Sequence, residues 1–355
     1  MREREATFYL VSNLALVGAA ALMLVRPHHV SRLMNSPLVP KASALSQAST
    51  RALLPPAPPR PSAANRARHR IARYSPARRT ENQKLLRTAG RRLNASAAML
   101  AFSVLADSAV EHYRGSFENR AMYTPLAVAA LTLGASLFGY TDLRSKRHPV
   151  RDMVYAAAAA TGFAGLGFHS YNIAKRPGRW SWLNLFYAAP IGAPMALALA
   201  GLLGRGAELV RDSGPHRRAS VLGLPVGRVL AGVTAAGLAG TVGEAGLLHF
   251  RGAFQNPVMF APVTIPPIAA ALLGASALRS NRRSHPLTRW WLRLTALLGL
   301  AGVGFHAYGV SRNMGGWRNW SQNVLNGPPI PAPPSFVGLA LIGAAALALM
   351  DSNDA

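Results

Sequence analysis

The sequence predicts an all-α, polytopic integral membrane protein: two tandem four-helix transmembrane repeats in parallel duplication, behind an N-terminal anchor helix. Three observations predict it. Long apolar runs alternate with short basic clusters. Blocks of sequence recur in the same order at a fixed distance. Half of the residues are apolar although the formal net charge is +26.

That charge narrows the partners. Asp and Glu total 13 against 39 Lys and Arg. Such an excess suits nucleic acid or an anionic membrane. A nucleic-acid binder spreads basic residues over a folded face, often between aromatics. Here they cluster between apolar runs, the pattern of loops flanking membrane helices. Anionic lipid headgroups are therefore the expected partner, and nucleic acid is not. The absence of cysteine excludes disulfides, thiolate metal sites, iron–sulfur clusters and covalently attached c-type haem.

In chain order, residues 1–35 contain an apolar run, 8–25, just long enough to cross a bilayer. No small-residue cleavage site follows it directly, so it reads as an anchor, with a cleaved signal peptide as the alternative. Residues 36–65 are rich in Pro, Ala and Ser, with four prolines at 55, 56, 58 and 59. They have little to bury and predict a flexible linker. Residues 66–92 are studded with arginine and predict a juxtamembrane arm on anionic headgroups. Eight apolar segments follow: 93–112, 125–141, 152–173, 185–204, 228–249, 262–278, 289–310 and 334–350. Their Gly and Ala content suits close helix packing in lipid. They divide into a first repeat at 93–205 and a second at 228–350. A basic linker at 206–227 separates them, and a tail closes the chain at 351–355.

The repeat is visible residue by residue. His112-Tyr-Arg-Gly-Ser-Phe-Glu-Asn-Arg-Ala-Met-Tyr-Thr-Pro125 recurs as His249-Phe-Arg-Gly-Ala-Phe-Gln-Asn-Pro-Val-Met-Phe-Ala-Pro262. Ala164-Gly-Leu-Gly-Phe-His-Ser-Tyr171 recurs as Ala301-Gly-Val-Gly-Phe-His-Ala-Tyr308. Both pairs are 137 residues apart. Pro190-Ile-Gly-Ala-Pro194 resembles Pro329-Ile-Pro-Ala-Pro333. An even number of helices per copy makes the two copies parallel.

Loop charge sets the orientation. One set of loops carries Arg144, Lys146, Arg147, Arg205, Arg211, Arg217, Arg218, Arg279, Arg282 and Arg283, and the basic arm shares that side. This side is expected to be cytoplasmic, in the inner membrane of a bacterium, with the N-terminus outside and the C-terminus inside. Trp180, Trp182, Trp317 and Trp320 fall on the outer side, as interfacial anchors do.

The first and third helices of each copy end on a histidine near the outer face: His112 and His169, then His249 and His306. Neutral imidazoles paired in this way suit a b-type haem. Arg114, Asn119 and Tyr171 stand beside the first pair in sequence, and Arg251, Asn256 and Tyr308 beside the second. The glycines of Ala164-Gly-Leu-Gly and Ala301-Gly-Val-Gly would let a flat macrocycle approach the helix. Asp107 and Glu244 occupy equivalent places inside the first helix of each copy, and an acid inside a membrane span is costly and a functional candidate.

The expected function is that of a membrane subunit or anchor for an extracytoplasmic redox partner, with no catalytic residues of its own. Two alternatives stand beside it. One is a transporter or solute-binding protein that uses Asp107 and Glu244. The other is a structural scaffold, in which Arg114 and Arg251 pair with those acids, Asn119 and Asn256 close turns, and the histidines cap carbonyls. A metal-dependent enzyme is less well supported, because no HExxH or comparable ligand spacing occurs. No phosphate-binding loop or nucleophile elbow occurs either.

Overall fold

The computed structural model describes residues 76–144, 146–213, 220–278 and 285–354. The expected anchor at 8–25, the linker at 36–65 and residues 66–75 of the arm lie outside the described residues. What is described is helical apart from turns and one two-residue hairpin. Seven helices are long and apolar enough to cross a membrane.

Helix α1 (Pro76–Arg114) leads by a 3-10 turn to α2 (Thr124–Thr141), then to α3 (Pro149–Ala174). A short α4 (Trp182–Tyr187) precedes α5 (Gly192–Asp212). Strands β1 (Ser220–Val221) and β2 (Leu224–Pro225) pair antiparallel, with Leu222 and Gly223 at positive φ in the turn. Then come α6 (Val226–Arg251), α7 (Ala261–Leu278), α8 (Pro286–Arg312), the short α9 (Trp320–Asn323) and α10 (Pro334–Asp354). Three expectations change here. The basic arm, from residue 76, is not a separate surface helix but the start of α1. That helix has 39 residues, so it is ~58 Å long, about twice the ~30 Å hydrocarbon core. The expected linker at 206–227 is largely the end of α5 and the hairpin. Of the eight apolar segments, the third, in α3, has the length of a span but is too diluted by Gly, Tyr, His and Ser to rank with the seven.

The long helices pack in two rings. In one, α1 meets α2, α2 meets α3, α3 meets α5, and α5 returns to α1. In the other, α6, α7, α8 and α10 follow the same cycle. The rings join where α10 lies along α1 and α5 touches α6. The main core fills this junction, with Leu93, Leu100, Leu203, Leu230, Leu339 and Ile342 buried. Consequently 72% of the α10 span is buried against protein but only 17% of α2 and of α8, whose Leu131, Leu137, Leu297 and Leu300 face outward.

Small residues set the helix spacing. A Cβ on Gly162 of α3 would strike the backbone of Pro194 and Ala198 on α5, and one on Gly299 of α8 would strike Pro333 and Val337. Lacking a hydrophobic drive in lipid, helices gain from such close backbone approach. Arginines then close helix ends. Arg91 donates to the Tyr140 carbonyl at 3.1 Å and lies over the Tyr140 ring, and Arg228 donates to the carbonyls of Ala277 and Leu278. Both satisfy terminal carbonyls of the helix next to their own.

The loop between α2 and α3 is locked by buried ions. Arg151 donates to Glu208 at 2.9 Å and to Asp142 at 2.6 Å, while Arg211 donates to the carbonyls of Gly139, Asp142 and Arg144. Burial alone would raise the Asp142 carboxyl. The Arg144 backbone N–H and the Arg151 guanidinium outweigh it and hold this carboxyl below its ordinary value.

Glycine packing makes a signed prediction. Gly162→Ala should cost about 1–3 kcal/mol, because backbone must shift. Gly167→Ala meets nothing within 4 Å, and should be neutral or gain up to ~1 kcal/mol of helix propensity. Thermal unfolding of both variants in detergent checks the ordering.

Candidate functional site

The two sequence motifs built around His112 and His249 fold alike. Each helix ends in two consecutive non-glycine residues in the left-handed region: Ser116 and Phe117 at φ 53° and 49°, Ala253 and Phe254 at 55° and 45°. Such backbone costs of order 1–3 kcal/mol per residue and persists only where the surroundings enforce it. Here the enforcing contacts are clear. The Phe117 N–H returns to the His112 carbonyl at 3.1 Å, and its ring stacks on Tyr123 at 4.3 Å. The Phe254 N–H returns to the His249 carbonyl at 3.1 Å, and its ring stacks on Phe260 at 4.5 Å. Gly115 and Gly252 leave room for the methyl groups of Met122 and Met259. Asn119 and Asn256 each accept from a backbone N–H two residues on and so cap the 3-10 turn.

This turn delivers a carbonyl to the histidine. His112 Nδ1 donates to the Met122 carbonyl at 2.7 Å, and His249 Nδ1 to the Met259 carbonyl at 2.8 Å. A carbonyl only accepts, so Nδ1 carries the proton and Nε2 is left as an acceptor or ligand atom. The second histidine of each pair is held in the same way by a different segment. His169 Nδ1 donates to the Pro190 carbonyl, and His306 Nδ1 to the Pro329 carbonyl at 2.7 Å.

The loops that present these prolines are clamped by asparagines that sequence reading passed over. Asn184 donates to the carbonyls of Pro177 and Arg179, and Asn323 to those of Met314 and Gly316. The signal was there: each stands six residues before the proline in question.

The structure brings the second histidine pair together: the His249 and His306 rings lie 6.5 Å apart, centroid to centroid, at 69°. His112 and His169 are held by the equivalent carbonyls in the first ring. All four are partly buried. Among the described residues no group of three or more His, Asp or Glu could hold a metal ion. Among the described residues each of these sites therefore offers two imidazoles and no third ligand of those types.

Other expected site residues stand apart. Arg114 pairs with Glu111 at 2.8 Å, and Arg251 lies over the Tyr187 ring at 4.8 Å, so neither meets Asp107 or Glu244. Tyr171 and Tyr308 are exposed, and Lys175 lies over the Tyr171 ring. The glycine runs serve packing more than access. Gly165 and Gly302 rest on Pro194 and Pro333, and only Gly167 and Gly304 face open space. Asp107 stands within α1 and Glu244 within α6. Gly192, at the start of α5, lies against the Glu244 carboxylate. Among the described residues no basic side chain pairs with either acid.

No family model matches the chain, and no curated protein and no solved structure matches it either. The site must be read from its own chemistry. Nitrogen-15 NMR of histidine-labelled protein at neutral pH should show His112, His169, His249 and His306 protonated at Nδ1 and bare at Nε2. The opposite tautomer at any of them would break the carbonyl assignment there.

Proposed function

We propose that the chain is a tandem duplication of one four-helix membrane unit, and that each unit holds a b-type haem between its two histidines. In this reading the protein is a membrane subunit of an electron-transfer system, non-catalytic itself, which exchanges electrons with a partner outside the cytoplasmic membrane. Loop charge supports the orientation, with the histidine end outside and the Arg-rich end in the cytoplasm.

One observation carries the proposal: all four histidines spend Nδ1 on a backbone carbonyl and keep Nε2 for a ligand. Such a bond fixes tautomer and ring orientation in metal-binding histidines. Two further points support haem over a bare ion. Imidazoles on either side of one metal, with bonds of about 2.0–2.1 Å, have centroids roughly 6 Å apart, near the 6.5 Å of His249 and His306. A zinc-type centre needs three or four protein ligands, whereas a porphyrin brings its own nitrogens and asks for only axial groups. When bound, haem would supply one-electron redox chemistry at each site. The protein's part is to hold two imidazoles in place and to seat the group at the membrane's outer edge.

The absorption spectrum of the purified protein, oxidised and then dithionite-reduced, tests this. A Soret band with sharpened reduced bands is expected, halved by His112→Ala or His249→Ala alone and abolished by both. A colourless protein from haem-replete cells ends the proposal.

A second reading has its own observation, the placing of Asp107 and Glu244 inside two membrane-length helices with no basic partner among the described residues. Acids placed so inside a membrane suit proton-coupled solute movement. That reading expects uptake into proteoliposomes driven by a pH gradient and lost in Asp107→Asn with Glu244→Gln. Under the haem reading the same double variant keeps its full spectrum.

A further inference from the structure

The two histidine sites have different neighbours. In the first ring, the segment that ends at Pro190, the carbonyl partner of His169, begins with α4. Two of its side chains cross to the second ring. Phe186 stacks on Phe250 at 5.7 Å and 22°, and the Arg251 guanidinium lies over Tyr187 at 4.8 Å. Phe250 and Arg251 are the two residues that follow His249. One short segment, 186–190, thus holds His169 at one end and grips the helix end behind His249 at the other.

The converse contact is of another kind: Ser103 of α1, nine residues before His112, donates to the Pro331 carbonyl in the second ring, and the aromatic grip on the helix end itself lacks its parts. Counting back from Pro329 as from Pro190, the second ring has Leu325 and Asn326 where the first has Phe186 and Tyr187. Neither offers an aromatic face to an arginine or a ring. Arg114, which follows His112 as Arg251 follows His249, turns back to Glu111 instead.

We infer that Phe186 and Tyr187 are positioning residues for the second histidine site, and that they make the two sites unequal: the helix end directly behind His249 is gripped by aromatic side chains of the other ring, whereas the cross-ring hydrogen bond of α1 lies nine residues before His112. The cation–π contact and the ring stack each favour one position of the α6 end over others. Fixing the end of α6 also fixes the turn 252–260, whose Met259 carbonyl orients His249. The inference rests on the haem reading in that it takes these histidines for ligands of one kind of group.

The test uses the full chain in detergent, loaded with haemin, and follows haemin transfer to excess apomyoglobin. Wild type should release haemin in two phases at least about 5-fold apart, the lower end of ordinary coupling energies. His249→Ala should remove the slow phase and His112→Ala the fast one. Phe186→Leu with Tyr187→Asn, the residues found in the second ring, should merge the phases, while Tyr187→Phe should keep them apart. A merely structural role would lower thermal stability without merging them. Equal phases in wild type, or a difference that survives the double variant, overturns the inference. If wild type binds no haemin, the haem reading falls on its own. The brace is then judged by histidine NMR of the ligand-free protein. Phe186→Leu with Tyr187→Asn should shift and broaden His249 and His306 while leaving His112 in place, and unmoved His249 and His306 signals overturn it.

Discussion

An imidazole whose Nδ1 proton is given to a fixed carbonyl loses its choice of tautomer and its freedom to rotate. That constraint organises the whole histidine end of this molecule. Each of the four acceptor carbonyls belongs to a loop, and each loop is made rigid by other means. Left-handed residues and stacked rings shape the turns after α1 and α6. Buried asparagines clamp the loops before α5 and α10. The loops in turn need helix ends at constant separation, and the glycine contacts of α3 with α5 and of α8 with α10 supply that. Loosening any one layer would free the imidazoles above it.

Below the histidines the two rings diverge. The first ring has Asn94, Thr132, Ser136, Arg151, Tyr155, Glu208 and Arg211 in its interior. Gly204 faces Tyr155 in one ring as Gly343 faces Leu292 in the other, which sets the register for comparison. In that register the second ring has Ala231, Ala269, Leu273, Thr288, Leu292, Leu347 and Met350, all buried as well. Buried ion pairs contribute little net stability, but they fail badly when one partner is missing. The polar interior therefore makes the first ring intolerant of alternative packings, while the second is an ordinary apolar bundle.

Much of this was legible in the chain, for physical reasons. A membrane span must be apolar over a set length, so eight segments stood out, though α3 carries enough Gly, Tyr, His and Ser to blur its signal. The paired histidines followed from the 137-residue recurrence, because the same motif closes the equivalent helix in each copy. The acids at 107 and 244 were found in the same way, but not the approach of Gly192 to the Glu244 carboxylate, which depends on how the rings abut. Their assumed partners Arg114 and Arg251 were wrong because a helix-end arginine takes the nearest acceptor, here Glu111 in one ring and an aromatic face in the other. The arm at 66–92 looked detached by charge alone. Its Leu85, Leu86 and Ala89 instead pack into the same core as Leu93 of α1. The proline carbonyls that hold His169 and His306 were hidden by a loop two residues longer in the second ring, 23 residues between the partners against 21.

The loop difference also bears on how two rings that share a motif come to differ. Loops accept change most readily, because no buried helix contact must be rebuilt there. The segment before Pro190 has aromatic residues that reach the other ring, and the segment before Pro329 is two residues longer and carries Gly327 instead. Neither difference touches a histidine or its carbonyl partner. The four histidines are therefore oriented alike in both rings, while the support of the loops that orient them differs.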